Sequence, residues 1–429
     1  MYKSLRALVC AAVLCVAFGA QAQNIGNAPY SRFGIGEYNY NTGNIRNAGM
    51  AGSGVGAASS FQINTANPAL LFYNSTTAFE IGIGGEVKKL KAGEGSQVDG
   101  AANLSSVTLS IPVAKFWTSA LSLRPYSNVA YEVNTTASLT PNDTVTTTYK
   151  GDGGITELYF GHGIRITKGL TIGGSASYLF GRITKESATS IRNTDLDRGL
   201  TMQEVAFSER TKYNDLLFRA GASYRQKLKD KMFMSAGAVY TLKTDLSADR
   251  NASFERRSTL GTVIEDSLFS TISESSVNVP SSFSAGISID NGSNLTFAAD
   301  YYTQKWSDFR DFSGDQELAD SYRASIGAEY TPDANSVGNY FERITYRAGL
   351  YMGNTPYKVS NEQVKDKGVT VGFTLPFGRS TIYDMYQLNT ALGYGVRGTT
   401  DSGLVQENYF KFDIGVTINS RWFIKRRLE

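Results

Sequence analysis

From Thr77 to the end of the chain, apolar residues keep returning at every second position, in stretches separated by polar or glycine-rich breaks. In the last stretch Phe410, Phe412, Ile414, Val416 and Ile418 share one parity, and Lys411, Asp413, Gly415 and Thr417 share the other. Val369, Val371, Phe373 and Leu375 repeat the pattern, as do Phe283, Ala285, Ile287 and Ile289. Side chains alternate between the faces of a β-strand, so each stretch is a strand with one greasy and one polar face. About fourteen are counted: near 77–90, 104–114, 117–134, 154–167, 169–184, 214–229, 231–245, 279–290, 294–306, 319–331, 340–353, 366–377, 380–398 and 404–419.

The breaks alternate in length. Short ones fall at Lys115-Phe116, Lys168-Gly169, Lys229-Asp230-Lys231, Asp290-Asn291-Gly292 and Gly378-Arg379, with a somewhat longer one near 332–339. Long polar connections are expected near 91–103, 135–153, 185–213, 246–278, 307–318 and 354–365. Most strands exceed the roughly 9–11 residues that a tilted strand needs to cross a bilayer. An even strand count, with tight turns at one rim and long loops at the other, marks an outer-membrane barrel. A β-sandwich would have shorter strands and no reason for this alternation. After the first twenty residues no apolar run is long enough for a membrane helix, so a bilayer can be crossed only by a closed sheet. The fold class expected is all-β: a 14-stranded antiparallel transmembrane β-barrel with an N-terminal plug in its lumen.

The chain divides into three parts. Lys3 and Arg6, the apolar run from Ala7 to Ala20 and the Ala20-Gln21-Ala22 step read as a signal peptide over 1–22. Both cysteines, Cys10 and Cys15, fall inside it, and neither follows the small residue that lipidation needs. Residues 23–76 are expected to form the plug. The core of that plug, Ala48–Leu71, is rich in Gly, Ala and Ser and has almost no charge. It is too glycine-rich for a strand and too apolar for a solvated linker, which leaves packing inside the closed sheet. Residues 77–429 form the barrel.

A Lys or Arg facing lipid near the bilayer midplane costs about 2–4 kcal/mol, so the charged faces must look inward. By parity Arg124, Glu157, Arg165, Arg219, Arg225, Asp300, Arg347, Arg397, Lys411 and Asp413 point into the lumen. A lumen charge network of Arg124, Glu157, Arg165, Arg219, Asp300, Arg347 and Asp413 is expected, its members paired with each other or with the plug. Aromatics near strand ends, Trp306, Phe309, Trp422 and Phe423 among them, suit the interfacial girdles. Pro125 breaks the third strand and cannot donate to its ladder, so a bulge or a local gap in the wall is expected there.

Catalytic signatures are lacking. The one histidine, His162, shares parity with Leu158, Phe160, Ile164 and Ile166 and should face lipid, and no G-x-S-x-G elbow exists. Gly393-Tyr394-Gly395-Val396-Arg397-Gly398 matches G-x-G-x-x-G, but within a strand, without the following helix that phosphate binding requires. Asp308, Asp311, Asp315, Glu317 and Asp320 gather in one expected outer loop, where they read as solvated charge or a divalent-cation site. No enzyme activity, cofactor or protein-bound metal is expected. With 42 basic and 39 acidic residues, the chain has no excess charge for nucleic acid.

Three passages together resemble the FadL-type outer-membrane transporters of long-chain fatty acids and other hydrophobic compounds. They are Ala48–Leu71 with its Asn67-Pro68-Ala69 step, Ala299–Phe309 (ADYYTQKWSDF), and Tyr346–Tyr351 (YRAGLY). The resemblance implies a 14-stranded barrel in the bacterial outer membrane whose N-terminal segment stops the bore, with Asn67, Pro68 and Ala69 near a kink marked here by Pro125. It implies passive uptake of hydrophobic small molecules. The stretch 24–47 has no counterpart in that pattern, and the polar loops 185–213 and 246–278 offer no greasy groove. The alternative reading is a structural or accessory barrel of a secretion or barrel-assembly complex. Partners expected are outer-membrane lipid and lipopolysaccharide, with a hydrophobic ligand under the first reading and other envelope proteins under the second.

Overall fold

A computed structural model describes residues 26–40, 43–93, 95–138, 140–141, 143–193, 203–258, 262–311, 314–315, 318–377, 384–401 and 404–420. The expected signal peptide, Trp422, Phe423 and Glu317 lie outside the described residues.

The barrel strands are β1 Thr77–Ala92, β2 Gly95–Ala114, β3 Trp117–Ser138, β4 Asp143–Arg165, β5 Leu170–Asn193 and β6 Gln203–Lys229. Next, β7 runs as Met232–Thr241 and Thr244–Ser258, and β8 as Val263–Val279 and Ser282–Asp290. The circle is completed by β9 Leu295–Gln304, β10 Ser321–Tyr330, β11 Thr345–Val359, β12 Glu362–Phe377, β13 Asp384–Arg397 and β14 Gln406–Ser420. Each pairs antiparallel with the next in sequence, and β14 closes on β1 from Gln406↔Lys91 to Ser420↔Thr77. All fourteen expected strands are present.

The outer wall is a belt of exposed apolar side chains that includes Ile83, Phe160, Phe218, Ile287, Val371 and Phe410. No water-soluble surface carries so continuous an apolar band. In a closed sheet with short turns at one rim it is the lipid-facing band of an outer-membrane barrel.

Much of what was expected as long loop is strand. β4, β5 and β6 have 23, 24 and 27 residues, more than twice what the bilayer requires, and continue above it as a β-ribbon. The polar segments 143–153, 185–193 and 203–213 owe this to Thr-rich alternation and to cross-strand ion pairs. Arg257 on β7 pairs with Glu186 on β5 at 2.8 Å, and Arg250 with Glu209 at 2.7 Å. A ladder satisfies every backbone group of such a segment, and side-chain polarity does not prevent one.

Candidate functional site

Residues 26–40 and 43–76, ahead of β1, pack inside the bore. Among the described residues the segment's α-helix, α1 (Ile45–Ala48), is a single turn capped by the Asn44 side chain. Around it the barrel presents inward-facing glycines along the segment: Gly327 against Met50, Gly349 against Met50 and Ala51, Gly237 against Val55, Gly286 against Gly56, Gly221 against Asn67. A Cβ on Gly327 would lie 2.5 Å from that of Met50, so the wall can approach the plug backbone only because side chains are missing there. The glycine-poor alternative would hold the plug away from the wall.

Asn67-Pro68-Ala69 forms one anchor. Asn67 Oδ1 accepts from the Ala69 N–H at 3.0 Å, capping the 3-10 turn Pro68–Tyr73, and Pro68 takes the first helical position, where its missing N–H costs nothing. Asn67 Nδ2 donates to the carbonyls of Val55 (2.9 Å) and Ala222 on β6 (3.2 Å). One side chain thus ties turn, plug and wall.

Charges form the second set of anchors. Arg46 of α1 and Arg347 of β11 both grip Glu329 of β10, Arg46 bidentately at 2.8 and 3.0 Å and Arg347 at 2.6 Å. On the opposite wall Arg124 and Arg219 both pair with Glu157, and Arg124 Nη1 also donates to Thr65 of the plug at 2.7 Å. Asp300 accepts from the Gly54 and Val55 N–H groups at 2.6 and 2.8 Å. A third cluster joins Glu37 of the plug to Arg397 (2.7 Å) and Lys88 (3.2 Å), with Glu407 and Asp366 beside them. Burial alone would raise the Glu37 carboxyl, but the Arg397, Lys88 and Lys411 charges outweigh it and hold the group well below the ordinary carboxylate range.

Above these charges the lumen is apolar, contrary to the expectation of a polar interior throughout. Tyr30 and Ile35 of the plug pack with Tyr126, Val129, Leu179 and Leu217 of the wall. Trp306 and Phe309, expected in a membrane girdle, belong to this cluster, 2% and 0% exposed. Their loop folds inward over the mouth because the aromatic Tyr30, Tyr38 and Tyr357 of plug and wall offer it a dry surface. Tyr30 stacks on Tyr357 and donates to the Val405 carbonyl at 2.6 Å.

The wall has an incomplete seam between β2 and β3. β2 and β3 pair from Ala114↔Trp117 only as far as Val107↔Leu123. Beyond that point, among the described residues, β2 pairs with β1 alone, and β3 pairs with β4 and with a two-residue plug strand, Glu37–Tyr38. Pro125 lies just past the last pair, at a register shift between Pro125 and Ser127. The β2–β3 ladder thus ends beside Pro125, and the plug lies along β3 where that ladder stops. Ala28 N–H donates to Ala130 O, Asn27 bridges Asp99 of β2 and Glu132 of β3, and Asn39 N–H donates to Tyr126 O. A cavity of about 220 Å³ behind this strap is lined by Glu37, Lys88, Arg323, Asp366, Arg397 and Asp413. These charges share the lining with Tyr38, Tyr40, Ala391 and Leu392, so the chamber is part polar and part apolar.

Of the expected network, Arg124, Glu157 and Arg219 form one cluster and Arg347 belongs to another. Asp300 holds backbone, and Asp413 accepts from Ser105 at 3.2 Å. Arg225 pairs with Asp290 and Lys411 with Glu86. Arg165 does not join the network. It is exposed at the rim, where its guanidinium stacks over Phe72 of the plug at 5.0 Å, because its strand position lies below the buried layer. Arg46, Glu37 and Glu329 were missed. The signal for the first two was present, since they are charges in a segment otherwise built to be buried. His162 lies on the outer face beside Phe160, accepting or donating with Ser119 at 2.8 Å.

The family profile described as BamG matches residues 1–429. Among solved structures the chain is similar to a Pseudomonas aeruginosa FadL homologue (12% identity, TM-score 0.58, covering 88% of this chain and 98% of that one). It is similar to the CymD monoaromatic hydrocarbon channel (16%, 0.55, 90% and 99%) and to the Pseudomonas putida toluene transporter TodX (15%, 0.54, 88% and 97%). The fold is thus that of the FadL-type barrels. No curated protein matches by sequence.

Proposed function

Since the chain belongs to the BamG family and carries its own stopper, we propose that this outer-membrane barrel is a structural subunit of an envelope complex engaged in secretion or barrel assembly. The observation that carries the reading is the filled bore. Plug and wall share two Arg–Glu–Arg clusters, a third cluster at Glu37, and a dry aromatic layer above them. Moving the plug aside for a solute would strand buried charges, at about 3–5 kcal/mol for each broken pair. The β-ribbon of β4–β7 stands clear of the membrane and gives the barrel a broad polar surface for protein contacts. Mild extraction from native membranes, followed by identification of everything that travels with the barrel, tests this. Stoichiometric envelope proteins are expected, and a barrel that purifies alone at native abundance counts against the role.

The seam beside Pro125 favours a second reading, passive uptake of hydrophobic small molecules such as long-chain fatty acids, with the strap as a movable stopper. Its test is uptake of a labelled fatty acid by cells with and without the barrel, where a difference that vanishes on deletion supports transport.

A further inference from the structure

Arg182 of β5 and Lys212 of β6 are directly opposite one another in the ladder, and Arg210 lies two residues before Lys212 on the same strand. Like charges in directly opposed positions lie with Cβ atoms about 4.5–5.5 Å apart and are destabilising unless an anion offsets them. Parity sets all three on the outer wall: Phe180 and Tyr178, exposed and stacked at 5.7 Å, share the face of Arg182, and Leu216 and Phe218 share that of Lys212. The three cations therefore stand where the apolar band ends, at the rim that carries the long ribbons, which is the outer-leaflet headgroup level.

They line a surface pocket of about 380 Å³ whose other walls include Asp249 and the exposed Ile272. Asp249 is opposite Lys212 in the ladder, and Glu274 is opposite Asp249. Among the described residues, Lys212 nevertheless makes no ion pair with Asp249, and neither Arg182 nor Arg210 has an ionic partner. Arg250, at the pocket edge, is held by Glu209.

We propose that Arg182, Arg210 and Lys212 bind the phosphate of an outer-leaflet glycolipid headgroup. Two guanidinium groups and an ammonium converge on one pocket, and guanidinium matches phosphate through paired N–H donors. The aromatic pair beneath packs against acyl chain, and Ile272 covers the sugar side. Asp249 and Glu274 bound the site on its far edge, where a divalent cation shared with the lipid would meet them.

The test reconstitutes the full barrel in nanodiscs with phosphorylated lipid A, with dephosphorylated lipid A, and with neutral phospholipid plus inorganic phosphate, reading bound lipid by native mass spectrometry. Removing one cation should weaken binding about five-fold, so the combined variant Arg182→Ala, Arg210→Ala, Lys212→Ala should lose on the order of a hundred-fold. The variant Lys89→Ala, Lys367→Ala, which removes two outward cations elsewhere on that rim, should bind as the native barrel does. Equal loss in both variants, equal binding of the dephosphorylated lipid, or no loss in the triple variant would each overturn the site. Should the triple variant fail to fold, Lys212→Gln alone carries the same expectation for a single cation, and unchanged binding by it also overturns the site.

Discussion

The Glu37 carboxylate, borne on the plug, accepts a hydrogen bond from Arg397 Nη1 of β13 at 2.7 Å, and the same carboxylate is 3.2 Å from Lys88 of β1. Because β1 and β13 flank β14, this one side chain fastens the strap across the closing strand of the barrel. Its neighbours hold its pKa below the ordinary carboxylate value, so the stabilisation it provides is complete above that value and disappears as pH falls through the depressed one. A spin label at Arg32→Cys, in protein made without residues 1–22 and hence free of other cysteines, reads strap mobility. Mobility should be constant from neutral pH to about 5 and rise only in stronger acid. Glu37→Gln should be mobile throughout. A native strap that loosens already near neutrality would show that Glu37 does not hold it.

Glu329 answers to two arginines at once, Arg46 from the plug and Arg347 from the wall. Its replacement by alanine leaves both buried without a counter-ion, which should cost about 3–5 kcal/mol in urea unfolding. Glu329→Gln keeps hydrogen-bond acceptors and should lose less. If the two variants unfold alike, the charge of Glu329 is not what matters at this position.

The wall was legible in the sequence because a bilayer imposes a rule: outward residues at its core are mostly apolar, so residues such as Phe410, Ile414 and Val371 recur at period two. Inside the bore no such rule applies. Ion pairs such as Arg46–Glu329 join residues 283 positions apart, and nothing local marks them. Trp306 and Phe309 could be read as girdle or core with equal justice, since both environments are half-apolar. The ribbons were hidden for a different reason. Polar composition resembles loop, although a Thr-rich hairpin above the membrane forms as well as one within it. Pro125 was readable as a break, but the closure of that break by residues 26–39 depended on contacts that only the folded chain brings together.

Close approach of Gly327 to Met50 makes a steric prediction. Gly327→Val places its Cβ 2.5 Å from Met50 Cβ and 2.8 Å from its carbonyl oxygen, both in the packed interior. The plug must shift, at about 1–3 kcal/mol of overpacking. Gly338→Val, where no atom lies within 4 Å, is the matched control and should be silent. Unfolding temperatures of the two variants against native barrel decide it, and equal values would mean that the plug is not seated against β10.

The strap over the seam leads to the last expectation. Residues 26–39 supply the only described cover for β3 beyond Leu123, through Asn27, Ala28, Asn39 and the Glu37–Tyr38 pairing. They also contribute Tyr30 and Ile35 to the apolar layer that closes the mouth. Deleting them removes the cover, takes Glu37 from Arg397, and admits water to the chamber behind the seam, while Asn67, Arg46 and Asp300 still hold the rest of the plug. In planar bilayers the native barrel should therefore pass almost no ionic current, and the deletion should conduct steadily. Glu37→Ala, which loosens the strap without removing it, should flicker between the two levels. A native barrel that conducts as the deletion does would mean that the bore is open as built, and the structural role proposed above would lose its physical basis.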